Sequence, residues 1–94
     1  MHLEIITPES KVFSGEVDAV QLPGLDGSFQ VLKGHAPIIS ALNEGKVKVD
    51  LSAPLSDQQQ ENKLIEMGGL KTIRVAIKGG VVEMMNDKII VLAE

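Results

Sequence analysis

Apolar and polar residues alternate in several short segments of the chain, and this alternation predicts β-strands. The clearest example is residues 46–51, Lys-Val-Lys-Val-Asp-Leu, and residues 73–77 repeat the pattern. A period of two is typical of a strand with one buried face. Because each buried Val or Ile contributes about 1.5–3 kcal/mol, a one-residue slip that exposes three of them is costly, so both registers are predicted to be firm.

Six further segments are predicted as strands, each bounded by turn-forming residues. They are residues 3–7, 16–22, 28–32, 38–42, 81–85 and 88–92, of which 38–42 is either a strand or a buried extended segment. Pro8 ends the first of them because it lacks the backbone N–H that a ladder needs. Asn86 and Asp87 tolerate positive φ, so a two-residue hairpin turn is predicted between the last two.

The buried face of two of these segments is less clear. In residues 16–22, Val20 and Leu22 share one face with Asp18, while Val17 and Ala19 share the other. Residues 89–92, Ile-Ile-Val-Leu, are apolar on both faces. A strand of that kind is predicted to lie inside the fold or against a partner.

Residues 52–72 differ from the rest of the chain, because residues 57–63 contain no apolar side chain. We predict a long, mobile loop that interrupts a hairpin between the strands at 46–51 and 73–77. Apolar residues at 64, 65, 67 and 70 could line a short helical face, although Gly68 and Gly69 weaken a helix. Long loops are either functional or disordered, and both interpretations stay open.

Composition narrows the classes of protein. The chain has 94 residues and one predicted domain, is 44% hydrophobic and has only two aromatic residues, Phe13 and Phe29. A core of Val, Ile, Leu and Met favours strands. The net charge of -4 and the lack of Trp and Tyr argue against nucleic-acid binding. The lack of cysteine excludes disulfides, and no segment approaches the roughly 20 apolar residues of a membrane span.

No catalytic, cofactor-binding or metal-binding residues are predicted. Of the two histidines, His2 is expected to fray with the terminus, which leaves His35 as the one candidate base. The serine elbow, the phosphate-binding loop and the paired histidines that hydrolases, nucleotide-binding proteins and metal sites use are missing from the sequence.

Residues 22–37 are a candidate binding stretch. Gly34 permits backbone angles closed to other residues, Ala36 permits close approach, and Pro37 stops strand pairing. His35 is therefore held at a loop tip, where it either meets a partner or forms a hydrogen bond within its own turn.

The same stretch, Leu-Pro-Gly-Leu-Asp-Gly-Ser-Phe-Gln-Val-Leu-Lys-Gly-His-Ala-Pro, resembles the signature of the epsilon subunit of F-type ATP synthases. In that signature a Gly-x-x-Gly turn and a strand lead to Gly-His-Ala-Pro. Further pieces match in order: residues 13–15, Gly45 before a strand, and residues 79–83 and 91–94. The resemblance covers nearly the whole chain except the polar part of 52–72.

The resemblance implies an all-β fold, an antiparallel β-sandwich of about ten strands that forms a flattened barrel. It implies one domain over residues 1–94, with an insert loop at about 52–72. The implied function is that of a non-catalytic central-stalk subunit without a cofactor, which joins the gamma subunit to the ring of c subunits. It implies a location at the cytoplasmic face of the bacterial membrane, reached only through the complex.

Site residues are also carried over by resemblance. Those expected to face the c ring are Asp26, Gly27 and Ser28, and those expected to face gamma are Thr7, His35 and Ala36. The family often has an acidic residue where this chain has Ser28, so an ion pair with the ring is expected to be weaker or absent.

Two expectations concern regulation and an alternative function. The family commonly continues into C-terminal helices that restrain ATP hydrolysis, whereas this sequence stops at Glu94, so no helical brake and no ATP-sensing site are expected. The alternative is a free-standing β-sandwich adaptor that binds a peptide through residues 52–72.

Overall fold

A computed structural model of the chain describes residues 1–60 and 62–94, which form nine strands and one helical turn. The strands are β1 (His2–Ile6), β2 (Lys11–Gly24), β3 (Gly27–Leu32), β4 (Ile38–Leu42), β5 (Gly45–Leu51), β6 (Ile65–Met67), β7 (Thr72–Ile77), β8 (Gly80–Met85) and β9 (Lys88–Ala93). The helical turn is α1 (Asp57–Gln60).

The strands form one continuous sheet in the order β1-β9-β8-β4-β2-β5-β7-β6, with β3 beside β2. β2 also pairs with β1, which closes the first five strands of that path into a circuit. Because β2 is 14 residues long, its first half pairs with β1 and its second half with β3, β4 and β5. The result is a flattened barrel, the sandwich that was predicted.

The predicted fold class is confirmed, with two differences in detail. The described residues contain nine strands where about ten were expected, and the pair β1–β9 is parallel where an antiparallel sheet was expected. No short connection links the first strand to the last, so a hairpin does not impose an antiparallel direction on this pair.

The strands predicted to have firm registers pair with each other. β5 and β7 are antiparallel, with Val47 opposite Val75 and Val49 opposite Ile73. Val47, Val49 and Ile73 are completely buried. The alternating pattern therefore identified both the strands and their inward faces.

A β-bulge in β2 explains why its buried face was unclear from the sequence. Val17 lies opposite Leu51, but Ala19 lies opposite Asp50, so Asp18 is an extra residue in this strand. The bulge reverses the alternation, and Val17 and Val20 both point into the core although they are three residues apart. Ser52 Oγ donates a hydrogen bond of 2.8 Å to Asp18 Oδ1 at this point.

The predicted hairpin between β8 and β9 is confirmed, since Asn86 and Asp87 have φ values of 52° and 63°. β9 lies between β1 and β8, as expected for an apolar strand inside the fold. Ile89 and Val91 are completely buried, but Leu92 is 54% exposed on the other face. One face of β9 therefore fills the core and the other faces outward.

Residues 52–72, predicted as a loop, contain α1 and β6. The short helical face considered for residues 64–70 does not form, because residues 65–67 are a strand. Leu55 and Ile65 belong to the core, and Ile65 pairs with Val75 of β7. Amide side chains hold the segment to β2: Gln59 Nε2 donates to Ser14 O at 3.2 Å, and Asn62 Nδ2 donates to Val12 O at 3.2 Å. These amides satisfy backbone carbonyls, which is why a run without apolar residues is compatible with an ordered conformation.

Candidate interaction surfaces

The residues expected to face the c ring form the tip of the β2–β3 hairpin. Gly24 pairs with Gly27, and the φ of Gly27 is 117°, a conformation that favours glycine. Gln21 Nε2 donates to Ser28 Oγ at 3.3 Å. The tip lines a shallow cleft of about 360 Å³ together with Ser40 and Ala41 of β4, so Asp26, Gly27 and Ser28 lie together at one exposed place.

His35 lies in the turn between β3 and β4 and is held there by two hydrogen bonds. Its backbone N–H donates to Leu32 O at 3.0 Å, and its ring Nδ1 donates to Ala36 O at 2.7 Å. Gly34 has a φ of 86°, as the turn requires. Both His35 and Ala36 are exposed, so the ring is fixed within its turn and still reaches solvent.

Thr7 begins the turn between β1 and β2. Its Oγ1 donates to Ser10 O at 3.1 Å and accepts from the Ser10 N–H at 3.2 Å, while its own N–H donates to Ser10 O at 2.8 Å. The turn lines a groove of about 380 Å³ together with Leu64, Ile77 and Glu94. Thr7 is therefore held rigidly by its own turn.

Strand register separates Thr7 from His35. Ile38, just after the His35 turn, pairs with Met84, and Met84 pairs with Ile89, which lies beside the start of β1. The His35 turn is therefore near the start of β1, whereas Thr7 follows its end. Five residues of strand span about 17 Å. Leu42, at the end of β4 away from the His35 turn, pairs with Gly24 in β2 and Gly80 in β8. The β2–β3 hairpin tip, which follows Gly24, therefore lies towards the same end of the sheet as Thr7.

Exposed apolar side chains lie on the outward face of three neighbouring strands, and sequence analysis did not find this surface. We call it the β4–β8–β9 face, defined by Ile39, Val81, Glu83, Met85, Ile90 and Leu92. Within it Ile39 is 75% exposed, Leu92 54% and Met85 52%. The one signal in the sequence was that β9 is apolar on both faces.

Glu83 lies at the centre of the β4–β8–β9 face. It is opposite Ile39 on one side and Ile90 on the other. Two shallow depressions adjoin it, one of about 320 Å³ towards Pro37 and one of about 280 Å³ towards Asn86. A carboxylate therefore lies between apolar side chains on an outward surface, and Lys88 lines the same depression as Glu83 towards Asn86.

His2, expected to fray, is instead held in β1 by cross-strand contacts. Its Nδ1 lies 2.8 Å from Glu16 Oε2, and its Nε2 lies 3.3 Å from Ser14 Oγ and 3.6 Å from Glu4 Oε1. The ammonium group of Met1 lies 3.7 Å from a carboxylate oxygen of Glu16. This polar network fastens β1 to β2.

Within residues 1–60 and 62–94, no three His, Asp or Glu side chains are grouped so that they could hold a metal ion. Among these same residues, no helix has both the length and the apolar character needed to cross a bilayer.

Glu66 on β6 is the ionisable side chain whose titration is most clearly altered. Lys46 Nζ donates to Glu66 Oε2 at 2.9 Å, and this hydrogen bond and the charge of Lys46, with a smaller effect of Arg74, lower the pKa of Glu66 from its usual value. Glu66 is exposed, so the pair ties β6 to β5 at the surface.

The fold and these surfaces define a one-domain β-sandwich with turns at both ends and an apolar outward face. Over residues 1–94 the chain matches the β-sandwich domain of the ATP synthase delta/epsilon chain, and it belongs to this family. The resemblance found in the sequence is therefore confirmed.

Three ATP synthase epsilon chains are similar in sequence to this chain and support the same family. The chain is 50% identical to the ATP synthase epsilon chain of Chlorobium limicola over 72 residues, which cover 76% of this chain and 82% of the relative. It is 42% identical to that of Chlorobaculum tepidum over 92 residues, covering 98% and 86%. It is 39% identical to that of Desulforamulus reducens, covering 98% of this chain and 57% of the longer relative.

Solved structures share the fold. A chain in the Euglena gracilis mitochondrial ATP synthase superposes with a TM-score of 0.74 at 18% identity, covering 97% of this chain and 48% of that one. A chain in the central stalk/c-ring structure of the Tetrahymena thermophila mitochondrial ATP synthase gives 0.72 at 13% identity, covering 99% and 62%.

Proposed function

We propose that this chain is a non-catalytic central-stalk subunit that joins the gamma subunit to the c ring of an F-type ATP synthase at the cytoplasmic face of the bacterial membrane. The observation that carries the proposal is its identity of 50% and 42% to two ATP synthase epsilon chains, each matched over more than four-fifths of its length. Its work is mechanical, because rotation of the ring must reach the catalytic head through it.

A part that transmits torque has to resist deformation, and the closed circuit of strands supports that role. β2 pairs with four other strands, and the first and last strands of the chain pair with each other. The core is one cluster of apolar side chains that extends through the domain. Close-packed interiors of this kind have low compressibility and transmit strain.

The proposed contacts use the surfaces described above. The β2–β3 hairpin tip, with Asp26, Gly27 and Ser28, faces the c ring. Thr7 and the turn with His35 and Ala36 face gamma. Since register places Thr7 and His35 towards opposite ends of the strands, gamma has to extend along the length of the sheet to meet both.

The non-catalytic role is supported by what the two histidines contact. His35 donates to a backbone carbonyl of its own turn, and His2 bridges carboxylates of β1 and β2. Both sets of contacts hold backbone segments in place. The alternative of a peptide-binding adaptor has less support, because Leu55 and Ile65 of residues 52–72 are committed to the core.

Co-purification tests the proposal. The chain, mixed with the purified gamma subunit of the same organism, is expected to elute with it as one stable complex, and a complex of gamma, c ring and this chain is expected to form in detergent. Failure of the folded chain to bind either component would contradict the proposal. Turnover of a substrate that is lost in the His35→Ala variant would contradict the non-catalytic role.

A further inference from the structure

We propose that residues 52–60 and 62, which we call the β2 cover, take the place of a strand along one edge of β2. The cover keeps this edge from pairing with the same edge of a second copy of the chain. This role is separate from the contacts proposed with gamma and the c ring, so the two proposals are tested independently.

The β2 cover contacts three carbonyl groups that lie along a single edge of β2. Three donors bind them, each at 3.2 Å: Ser52 N–H to Glu16 O, Gln59 Nε2 to Ser14 O, and Asn62 Nδ2 to Val12 O. The carbonyls of every second residue point to the same edge of a strand, so these contacts replace the ladder of a neighbouring strand. The other edge of this half of β2 is paired with β1.

The β2 cover begins where β5 ends. Leu51, the last residue of β5, lies opposite Val17, and Ser52 contacts the preceding residue of β2. β5 therefore protects the second half of β2, and the cover protects the first half. Without the cover, residues 11–16 would have an open edge, and open strand edges are sites of edge-to-edge pairing between chains.

Hydrogen bonds within the segment orient the two amide donors of the β2 cover. Gln59 Oε1 accepts from the Ser56 N–H at 3.2 Å, and Ser56 Oγ accepts from the Gln59 N–H at 3.3 Å, which caps α1. Asn62 Oδ1 accepts from the Leu64 N–H at 3.0 Å. Each amide thus uses its oxygen within the segment and its nitrogen on β2.

A second copy of the chain is the partner that fits this edge. Residues 11–16 are Lys-Val-Phe-Ser-Gly-Glu, with a cation at one end, an anion at the other and no net charge. The Lys11 and Glu16 side chains are 54% and 64% exposed. Antiparallel pairing of two copies brings the Lys11 end of each strand to the Glu16 end of the other, so unlike charges meet.

Paired variants test the β2 cover. The double variant Gln59→Ala/Asn62→Ala removes both amide donors to β2, whereas the control Gln60→Ala removes an amide that donates to Leu55 O inside the cover. Loss of two hydrogen bonds favours the open form, so the double variant is expected to dimerise with a Kd at least about 10-fold below that of the control. The unmodified chain is expected to behave like the control. Sedimentation equilibrium measures the Kd, and circular dichroism verifies folding.

Amide hydrogen exchange tests where the two copies meet. Because the N–H and C=O of one residue point to the same edge of an antiparallel strand, the Ser14 N–H lies at the covered edge. Its exchange is expected to slow at least about fivefold when the double variant is concentrated above its Kd, and to be independent of concentration in Gln60→Ala.

A second double variant separates loss of the donors from loss of the α1 cap. Gln59→Glu/Asn62→Asp keeps the side-chain oxygens that accept from Ser56 and Leu64, and it removes both N–H donors to β2. It is expected to dimerise as well, with the same slowing of exchange at Ser14. A monomeric, folded Gln59→Glu/Asn62→Asp would show that the donors are not what protects the edge.

Other outcomes would also overturn the proposal. If a folded Gln59→Ala/Asn62→Ala dimerised no more tightly than Gln60→Ala, the amides would not keep the chain monomeric. If it dimerised without slower exchange at Ser14, a different surface would form the contact. If the opened edge paired with gamma instead of a second copy, the partner would be wrong. Binding of the unmodified chain to gamma is a separate measurement, so failure here leaves the proposed function intact.

Discussion

Single residues fix the geometry of this fold where backbone atoms approach closely. Gly80 begins β8 with a φ of 149°, and a Cβ there would collide with the carbonyl oxygen of Leu92 and lie 3.0 Å from Cα of Ala93. Those atoms belong to the neighbouring strand and cannot move independently. Gly27 also has positive φ, yet a Cβ there would meet nothing within 4 Å. The two glycines thus separate the effect of collision from the effect of backbone conformation.

Gly80→Ala is expected to lower the free energy of unfolding by about 2–4 kcal/mol, because backbone strain and overpacking add. Gly27→Ala is expected to lower it by only about 1–2 kcal/mol, since strain alone applies. Urea unfolding followed by circular dichroism measures both. Equal losses in the two variants would contradict the proposed collision with Leu92.

Glu66 gives a prediction about pH. Its pKa is lowered in the folded chain, first by the hydrogen bond from Lys46, so its contribution to stability is present at neutral pH and is lost as the pH falls through the folded pKa. Glu66→Gln is therefore expected to melt slightly below the unmodified chain at pH 7, and the two curves are expected to converge well below pH 4.5, the usual value.

The difference in melting temperature at pH 7 is expected to be small and to shrink in high salt, because both partners are exposed. Lys46→Met serves as a second variant that removes the same pair from the other side. A difference between Glu66→Gln and the unmodified chain that persists at acid pH would show that another interaction is responsible.

For the elements of the fold, the alternation of apolar and polar residues predicted most strands but not the bulge and the side-chain contacts between them. The registers of β5 and β7 followed from apolar residues at every second position, and the β8–β9 turn followed from Asn86 and Asp87. The bulge at Asp18 could not be predicted, because the extra residue is defined only by its partner strand. Likewise Gln59 and Asn62 look like loop residues until the carbonyls that they contact are known.

The candidate surfaces were predictable to different degrees. The hairpin tip at 26–28 and the His35 turn lie in one contiguous stretch, so the sequence was enough to predict both turns, while their contacts with the c ring and gamma stay predictions. The β4–β8–β9 face was missed because Glu83 by itself reads as an ordinary polar position of an alternating strand. The apolar neighbours of Glu83 are Ile39 and Ile90, which strand pairing brings beside it from β4 and β9.

Residues 52–72 are expected to fold with the rest of the domain, and adjacent residues test this. Ile65 is only 8% exposed in the core, whereas Leu64 beside it is 54% exposed. Ile65→Ala is expected to cost about 2–4 kcal/mol of unfolding free energy because it leaves a cavity under β6. Leu64→Ala is expected to stay within about 0.5 kcal/mol.

Chemical unfolding of Ile65→Ala and Leu64→Ala in parallel gives the comparison, since both remove apolar side chains of the same size. If Ile65→Ala were as harmless as Leu64→Ala, the segment would be a loop that is independent of the core, as the sequence alone suggested. Limited proteolysis within 52–72 provides a second readout, because cleavage is expected to be slow in the unmodified chain and faster in Ile65→Ala.

For the whole molecule, the circuit of strands distributes stability unevenly. β2, β5, β8 and β9 each have a strand on both sides, whereas within the part of the chain that the structure describes β6 pairs only with β7 and β3 only with β2. Strands at an edge open at lower free energy than those in the middle of a sheet. Stiffness between the two ends of the sandwich therefore depends on the paired strands, and the edges can adapt to neighbours.

Amide hydrogen exchange measures this distribution directly. The slowest amides are expected in the inner strands, at Val20, Val49 and Val91, whose opening requires global unfolding. The fastest strand amides are expected in β6 and β3. Amides of β4 are expected to exchange more slowly than those of β6, because β4 is paired with β8 along its length and with β2 through Leu42. Slower exchange in β6 than in β4 would contradict this account, since among the described residues β6 is paired on one side, with β7.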